Sequence, residues 1–576
     1  MHYPSADKTP SLPIVILLII GILLLTVWKI LSGLDFYDFP FNILLLKEGK
    51  PEDNLLIPLT IILGNLWGQF ISDSYLSYKI LAALLFYGKL FLAYRSGIVL
   101  FENNKDFKYL FLSGAIIALS FQGFIPGYDA FSDIILVGFI YQFIRTYKYK
   151  RGSDYILLGI GIILCTFIRL PNIVVGILAL SLPLYEYLKK GLPLKAIILS
   201  YSYLIVGVLV SLGIFFALFR VYSAYTNIFA EINKTTQNGS HSLKEIFGYY
   251  IQNAGDIFLY LMTCLGMGGI LAILKLKLPL KSFLLTGIFL FFLSGFILFL
   301  KEADFLKSYS FFLSGFALAL LIGEVLFTIS KKEYYLIGMV MIVILLPALG
   351  SNTGLLKIGG MTLLSIPFLL TQYRKKTIPT GITQGTTQIW EQGLLGLIGV
   401  AFVLNIIWSY GDTRKPWKRI YKLDEYPLTG VMTTQDRVTY LNKWIPVLKQ
   451  EIQGKSVLLL GESANLFRYV LQVDPFLKTN FIQDLSEPNF RKSLKTKLQE
   501  TNAIHPIIIY FPGSARVSDW PLNLSDNNWK NAEDLNNFSD FLQENGMKEN
   551  SKEGYVVFEK NLDTTSIPLN EIENHK

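Results

Sequence analysis

Residues 12–38 read LPIVILLIIGILLLTVWKILSGLDFYD, and this stretch decides the fold class. Its first part, Leu12 to Leu31, is an apolar run long enough to cross a bilayer as a helix. The run lacks a basic segment before it and a small-residue cleavage site after it, which favours a retained first span over a signal peptide. Two acids, Asp35 and Asp38, follow directly. The stretch therefore predicts a membrane helix that ends beside carboxylates.

The rest of the chain has the composition of a membrane protein. Of its 576 residues, 52% are hydrophobic and only 16% are charged, whereas roughly 25% of residues in soluble domains are charged. The net charge of +9 does not indicate nucleic acid, because the basic residues lie between apolar runs, where they orient helices. Cys165 and Cys264 both lie inside apolar runs, which indicates small buried side chains rather than a disulfide or a zinc site.

The apolar runs predict thirteen spans. Their centres lie near residues 22, 88, 115, 140, 163, 178, 209, 265, 290, 318, 341, 363 and 400. The loops after the even-numbered spans are short and basic, so the positive-inside rule places them and the N-terminus in the cytoplasm. An odd number of spans then places the C-terminal region outside. We predict a polytopic α-helical membrane domain over residues 1–410 and a small extracytoplasmic α/β domain over 411–576, in a bacterial inner membrane.

Two regions of the predicted outer side have their own pattern. The apolar segment Pro58 to Ile71 is short and interrupted by glycines, and a span there would reverse the charge pattern of all later loops. We therefore predict an interfacial helix, with the second span starting near Tyr75. In the C-terminal domain, three segments predict buried strands and two predict helices. The strands are KSVLLLG (455–461), HPIIIYF (505–511) and YVVFEK (555–560), and the helices are Ala464 to Val473 and Asn536 to Asn545.

Two pairs of acids lie at the predicted outer membrane edge. Asp35 and Asp38 follow span one, and they share a face if their segment is helical. Asp129 and Asp133 lie at the start of span four. A partly desolvated carboxylate has a raised pKa, which makes it a better general base. The plainer interpretation is that these are ordinary helix ends, with Asp133 interacting with the helix dipole.

Cations accompany these acids on the same predicted side. Arg169, at the turn between spans five and six, can bind a lipid phosphate through its planar fork. Lys301 and Lys307 precede span ten and add positive charge, although all three side chains could simply snorkel to the interface. His241 lies in the polar outer loop 222–255 and is a candidate substrate-binding residue. It has no metal-ligand partner at a recognisable spacing.

Six segments follow one another in a characteristic order. They are the acids Asp35 and Asp38, LLIPLTIILGNLWGQF (55–70), DSYLSYKILAALLFYGKLFLAYR (73–95), the acidic loop with Tyr128, Asp129 and Asp133, KSYSFFLSGFALAL (307–320), and ENGMKENSKEGYVVFEK (544–560). This order resembles the GT-C class of membrane glycosyltransferases, which includes the protein O-mannosyltransferases and the aminoarabinose–lipid A transferases. The chain departs from the family where two residues separate Asp35 from Asp38 and where Pro58 stands without a second proline.

The resemblance implies sugar transfer from a polyprenyl-phosphate-linked donor to a glycan, lipid or protein acceptor, with inversion at the anomeric carbon. Asp35 would deprotonate the acceptor hydroxyl, helped by Asp38 or an acid of the second outer loop. Arg169 and the lysines would stabilise the departing lipid phosphate. These acids and cations are expected to converge at the outer membrane edge. The resemblance implies no certain cofactor, although four acids could hold a divalent metal.

Other function classes stay open at this stage. A transporter or flippase of a lipid-linked substrate would carry ionisable groups deep within its spans, and Lys89 is the main candidate for such a group. A polymerase or ligase of surface polysaccharide and a non-catalytic cell-envelope assembly protein are further alternatives. The small C-terminal domain would have a supporting or acceptor-binding role in the glycosyltransferase.

Overall fold

The fold is taken from a computed structural model. It describes residues 12–36, 38–49, 55–101, 105–119, 123–191, 193–219, 247–255, 334–349, 354–358, 361, 368, 402–407, 409, 411–413, 415–453, 455–461, 463–474, 476–477, 487–500, 506–511, 532–552 and 555–560.

The chain divides into two compact units, each built from separated parts of the sequence. The first, which we name the helical unit, comprises Met1–Ile30, Gly49–Trp67 and Lys79–Trp408. The second, the mixed unit, comprises Leu31–Glu48, Gly68–Tyr78 and Ser409–Lys576. The mixed unit thus contains two segments of the predicted first outer loop together with the C-terminal region.

Helices dominate the first 219 residues. They are α1 (Leu12–Leu31), α2 (Asp38–Glu48), α3 (Pro58–Phe70), α4 (Tyr75–Phe101), α5 (Lys105–Leu119), α6 (Tyr128–Tyr149), α7 (Gly152–Ile168), α8 (Val175–Lys190) and α9 (Leu194–Phe219). A further helix spans Tyr334–Leu345, and short 3-10 turns occupy Leu170–Val174, Leu346–Ala348 and Gly354–Ile358. The predictions of a separate helix from Pro58 and of a helix starting at Tyr75 are confirmed.

Several of these helices are suited to a membrane. Three in the described part of the chain are long and apolar enough to cross it, at Tyr75–Phe101, Leu170–Lys189 and Leu194–Ala217. Shorter apolar helices lie at further predicted spans, at Val15–Leu31, Phe107–Ile116, Gly152–Ile168 and Tyr335–Ala348. The chain is therefore a polytopic helical membrane protein. The total of thirteen spans stays a prediction, since the centres near 265, 290, 318, 363 and 400 lie outside the described residues.

Within the helical unit, α7 and α9 approach so closely that their backbones touch. A Cβ atom added to Gly159 would lie 2.2 Å from the carbonyl oxygen of Leu204, and one added to Gly207 would lie 2.1 Å from that of Ile156. Glycines are typical of tightly packed membrane helices because they let backbones meet. Cys165 of α7 is fully buried, as expected, and Cys264 lies outside the described residues.

The mixed unit contains the sheet structure. Its strands are β1 (Tyr421–Lys422), β2 (Met432–Thr433), β3 (Ser456–Leu460), β4 (Pro506–Tyr510), β5 (Met547–Lys552) and β6 (Tyr555–Lys560). The larger sheet has the order β3-β4-β6-β5, in which β3 and β4 are parallel and the other pairs antiparallel. Every residue of β4 is buried, which explains its uninterrupted apolar sequence.

Helices of the mixed unit connect and cover these strands. They span Gln435–Glu451, Ala464–Leu471, Glu487–Glu500 and Ala532–Glu544. Leu458 of β3, Ile508 of β4 and Phe558 of β6 share one buried cluster with Leu494 and Phe538 of two of these helices. The three predicted strands and two predicted helices of this region are confirmed, and β1, β2, β5 and two helices are additional.

Candidate functional site

Asp35 lies in the mixed unit, in the non-helical residues between α1 and α2. The residue is only 5% exposed. One carboxylate oxygen, Oδ2, accepts the backbone N–H of Phe39 at 2.6 Å, so Asp35 caps the first turn of α2. The backbone N–H of Asp35 donates to the Tyr75 hydroxyl at 2.9 Å. Asp35 is therefore held by residues in the first turns of α2 and α4.

The chain following the last predicted span approaches Asp35 at a glycine. Gly411 has a φ of +67°, and a Cβ atom there would lie 2.3 Å from Oδ1 of Asp35. Glycine serves both needs, because it tolerates a positive φ and leaves room for the carboxylate. Any other residue at 411 would push against the aspartate.

The next residue, Asp412, anchors the same loop through a buried charged network. Its carboxylate accepts the backbone N–H of Leu34 at 2.9 Å and the hydroxyl of Thr433 at 2.6 Å. Arg437 lies beside it, with Nε 3.6 Å from Oδ1 of Asp412, and its Nη1 donates to the carbonyl oxygens of Leu34 and Gly411. Since an unpaired buried charge is costly, this network strongly favours one position of the loop.

A second buried arginine, Arg419, holds the segment that directly follows α1. Its Nη1 donates to the Ser32 hydroxyl at 2.8 Å. Burial lowers the pKa of the Arg419 guanidinium to about 10, and the nearby charge of Asp412 opposes that shift. Arg419 is therefore still charged at neutral pH, and residues 32–36 are held by both arginines.

Asp38 differs from Asp35 in position and exposure. It begins α2 and is partly exposed, and an acid in the first turn of a helix interacts favourably with the helix dipole. The segment becomes helical only at Asp38, so Asp35 and Asp38 do not share a helical face. The reason is that Asp35 stands before the helix and caps it.

Asp129 and Arg169 lie in the helical unit, around the ring of Tyr128. Asp129, in the first turn of α6, forms an ion pair with Lys357 of the Gly354–Ile358 turn. The Lys357 ammonium lies 5.2 Å from the centre of the Tyr128 ring, and the Arg169 guanidinium lies 5.8 Å from it. We name Tyr128, Asp129, Arg169 and Lys357 the Tyr128 cluster. It joins two cations, one carboxylate and an aromatic ring.

The charge of Lys357 is well maintained. Burial alone would lower the pKa of its ammonium, but Asp129 and then Tyr128 oppose this effect, and the net pKa is raised above the usual value. The side chain nevertheless stays partly exposed. Lys357 therefore carries a positive charge that is paired with Asp129 and partly exposed.

The guanidinium of Arg169 donates hydrogen bonds to the protein backbone. Its Nη1 donates to the carbonyl oxygens of Leu346 at 3.3 Å and Pro347 at 2.9 Å, and Nη2 donates to that of Leu349 at 2.7 Å. These carbonyls follow the helix Tyr334–Leu345, where helices leave acceptors unsatisfied. Arg169 thus fixes the chain end that leads towards Lys357, in addition to carrying charge.

Asp133 forms a buried ion pair with Lys89 at 2.8 Å, between α6 and α4. It does not lie in the first turn of α6, where Asp129 stands instead, because the helix already begins at Tyr128. The expectation that Asp133 caps this span is therefore wrong. The pair also gives Lys89, the residue that suggested a transport pathway, a structural partner.

The structure separates the predicted site residues into two groups. Asp35 and Asp38 belong to the mixed unit, whereas Asp129, Asp133 and Arg169 belong to the helical unit. Lys301, Lys307 and His241 lie outside the described residues. Convergence of the two groups stays a prediction. Within the described ranges, no group of three His, Cys, Asp or Glu residues could hold a metal ion.

Sequence reasoning missed four charged residues of these clusters. Asp412, Arg419 and Arg437 lie in a polar region without a recognisable motif, and Lys357 lies 228 positions from its partner Asp129. The one available signal is the Gly-Asp pair at 411–412, which directly follows the last predicted span as Gly33 and Asp35 follow the first. Nothing in the sequence indicates that these two span ends meet.

No family model matches the chain, and no curated protein matches it. Two solved structures of ArnT from Cupriavidus metallidurans are similar to it. The structure bound to undecaprenyl phosphate has a TM-score of 0.39 and 10% identity, covering 96% of this chain and 99% of that one. The apo structure has a TM-score of 0.42 and 12% identity, covering 95% and 98%. Because both TM-scores are below 0.5, the function proposed next rests on the residues.

Proposed function

We propose that the chain is a membrane glycosyltransferase. It would move a sugar from a polyprenyl-phosphate-linked donor to an acceptor hydroxyl on the outer face of the cytoplasmic membrane, with inversion. The observation that carries this proposal is the buried network of Asp412 and Arg437. It fixes the loop that bears Asp35, between the end of an apolar helix and Asp38 at the start of α2. In the proposed enzyme, this loop would hold the carboxylates at the depth where a lipid-linked sugar presents its anomeric carbon.

The different burial of Asp35 and Asp38 suggests a different role for each carboxylate. Asp38 is partly exposed and can accept the proton of the acceptor hydroxyl as it attacks the anomeric carbon. Asp35 is buried and already accepts the N–H of Phe39, so it would position the start of α2 and stabilise the charge that develops nearby. This assignment exchanges the roles that the family resemblance implies for these two residues.

The departing group would be a lipid phosphate, and the Tyr128 cluster supplies cations suited to it. Lys357 offers a partly exposed ammonium, and preorganised positive charge stabilises a leaving phosphate without reorganisation. Arg169 would act chiefly by holding the chain next to Lys357. Lys301 and Lys307 stay proposed as additional phosphate-binding residues, and His241, Asp129 and Asp133 as substrate-binding or supporting ones.

The test uses the full-length protein reconstituted in liposomes with native envelope extract as acceptor. Undecaprenyl phosphate carrying mannose, glucose or aminoarabinose is supplied as donor, and release of undecaprenyl phosphate is measured. For a donor that wild type uses, Asp38→Asn should slow release by roughly 10²–10⁴-fold, the usual contribution of a general base. Asp35→Asn should lower both the rate and the thermal stability.

Asp424→Asn is the matched control, since Asp424 is an exposed acid of the same unit, and it should leave release unchanged. Full activity in both Asp35→Asn and Asp38→Asn would remove these carboxylates from the mechanism. Loss of activity in Asp35→Asn at unchanged stability, with Asp38→Asn active, would restore Asp35 as the base.

A further inference from the structure

The segment KPWKRIYK, residues 415–422, exposes aromatic and basic side chains together. Trp417 is 69% exposed and Ile420 is 60% exposed, and Tyr421 is also exposed. Lys415, Lys418 and Lys422 are exposed among them. We name these six residues the basic-aromatic strip. A water-soluble surface rarely exposes tryptophan, isoleucine and tyrosine so close together, and such patches mark interaction sites.

Contacts within the mixed unit fix where the strip lies. Arg419, in the middle of the segment, is buried and donates to the hydroxyl of Ser32 at 2.8 Å. Ser32 directly follows α1, and the backbone N–H of Gly33 donates to the carbonyl oxygen of Met432 at 2.8 Å. Met432 belongs to β2, which pairs with the strand that contains Tyr421. The strip is therefore held beside the point where the first apolar helix ends.

The end of a predicted span is where the interface between lipid tails and water is expected. Tryptophan and tyrosine are enriched there because their rings combine an apolar body with a polar group. Lysines next to them are attracted to anionic headgroups, and the attraction adds to the burial of apolar side chains. The strip has the composition that a membrane-surface anchor needs, and it lies beside the end of a predicted span.

We propose that the basic-aromatic strip binds anionic phospholipid headgroups and holds the mixed unit against the membrane surface. Trp417, Ile420 and Tyr421 would insert among the headgroups, and Lys415, Lys418 and Lys422 would pair with lipid phosphates. This role does not depend on glycosyl transfer, because it concerns only where the mixed unit touches lipid.

The test places a fluorophore on the strip of the full-length protein. Trp417→Cys is made in a background with Cys165→Ala and Cys264→Ala, labelled with NBD, and reconstituted in nanodiscs of phosphatidylcholine alone or with an equal amount of phosphatidylglycerol. Some of the lipids carry a nitroxide quencher near the headgroup. Val447→Cys is the control, since Val447 is an exposed apolar residue of the helix Gln435–Glu451 in the same unit.

The expected result is at least twofold stronger quenching at position 417 than at 447, with a further increase when phosphatidylglycerol is present. Changing Lys415, Lys418 and Lys422 to glutamine should abolish that increase. Equal quenching at 417 and 447 would overturn the proposal and assign the strip to water or a protein partner. If quenching at position 417 is equal with and without phosphatidylglycerol, the proposed recognition of anionic lipid is overturned. Tyr421→Cys provides an independent probe should Trp417→Cys fail to fold.

Discussion

Lys357 combines a strongly held charge with a partly exposed side chain. Asp129 keeps its ammonium in place through an ion pair. Because its pKa is raised, Lys357 stays protonated below that pKa and loses its charge only as pH rises beyond the ordinary lysine value. A lipid phosphate bound there would therefore meet a full positive charge at every physiological pH.

Lys357→Met should weaken binding of undecaprenyl phosphate by at least tenfold, which corresponds to about 1.4 kcal/mol. Lys357→Arg should retain most of the affinity because it keeps the charge. Binding by the unmodified protein should stay constant between about pH 8 and 9.5, since the raised pKa of Lys357 lies above this range and the phosphate is already doubly ionised. Microscale thermophoresis in detergent measures all of these.

Lys449→Met is the control for general loss of charge, because Lys449 is an exposed lysine that pairs with Glu425 in the mixed unit. Unchanged affinity in Lys357→Met would exclude Lys357 from the phosphate site. An affinity that falls steadily across the stated pH range would contradict the charge assignment.

Individual residues also show where sequence reasoning reaches its limit. Asp35 and Asp38 are found from the sequence because they directly follow an apolar run. Lys357 is not, since its partner Asp129 is 228 positions away. Asp412 is 378 positions from Leu34, whose N–H it accepts. Pairs at such separations depend on the tertiary fold, and no local pattern encodes them.

The crossing of α7 and α9 depends on two glycines that face the opposite backbone. Gly159→Ala should lower the free energy of unfolding by about 1–3 kcal/mol, because the added methyl group collides with the carbonyl oxygen of Leu204 and forces the helices apart. Thermal unfolding in detergent measures the effect. Gly213→Ala, in the partner helix α9, is the control, since a Cβ there meets nothing within 4 Å. Equal stability of the two variants would contradict the close crossing.

Helices and strands were predictable to different degrees, for a physical reason. Long apolar runs predict α1, α4, α7 and α9, because a helix that crosses a membrane needs a long apolar segment. β4 is likewise evident, since it is buried on both faces. β5 reads MKENSK and has no apolar pattern, because only Met547 of this edge strand is buried. Its pairing with β6, rather than its own composition, makes it a strand.

The mixed unit constrains the topology of the entire chain. It contains Leu31–Glu48 as well as Ser409–Lys576. Under the predicted topology both segments lie on the outer side, so the chain would cross the membrane an even number of times between them. The twelve later predicted spans would meet this requirement.

A labelling experiment decides which side the mixed unit occupies. Ser551→Cys and Lys189→Cys are made separately in the cysteine-free background, since both positions are exposed. A membrane-impermeant maleimide should label position 551 in intact spheroplasts, and position 189 only after permeabilisation. The opposite pattern would place the mixed unit in the cytoplasm and remove the proposed site from the outer face.

An enzyme breaks the bond between the sugar and the lipid phosphate of the donor, whereas a transporter leaves it intact. Liposomes containing the full-length protein receive a donor whose sugar carries tritium and whose undecaprenyl chain carries carbon-14, together with envelope extract. Transfer predicts that tritium moves to the acceptor while carbon-14 remains on undecaprenyl phosphate, and that Asp38→Asn prevents this separation. Donor that crosses the bilayer with both labels still on one molecule would contradict the account and identify a transporter instead.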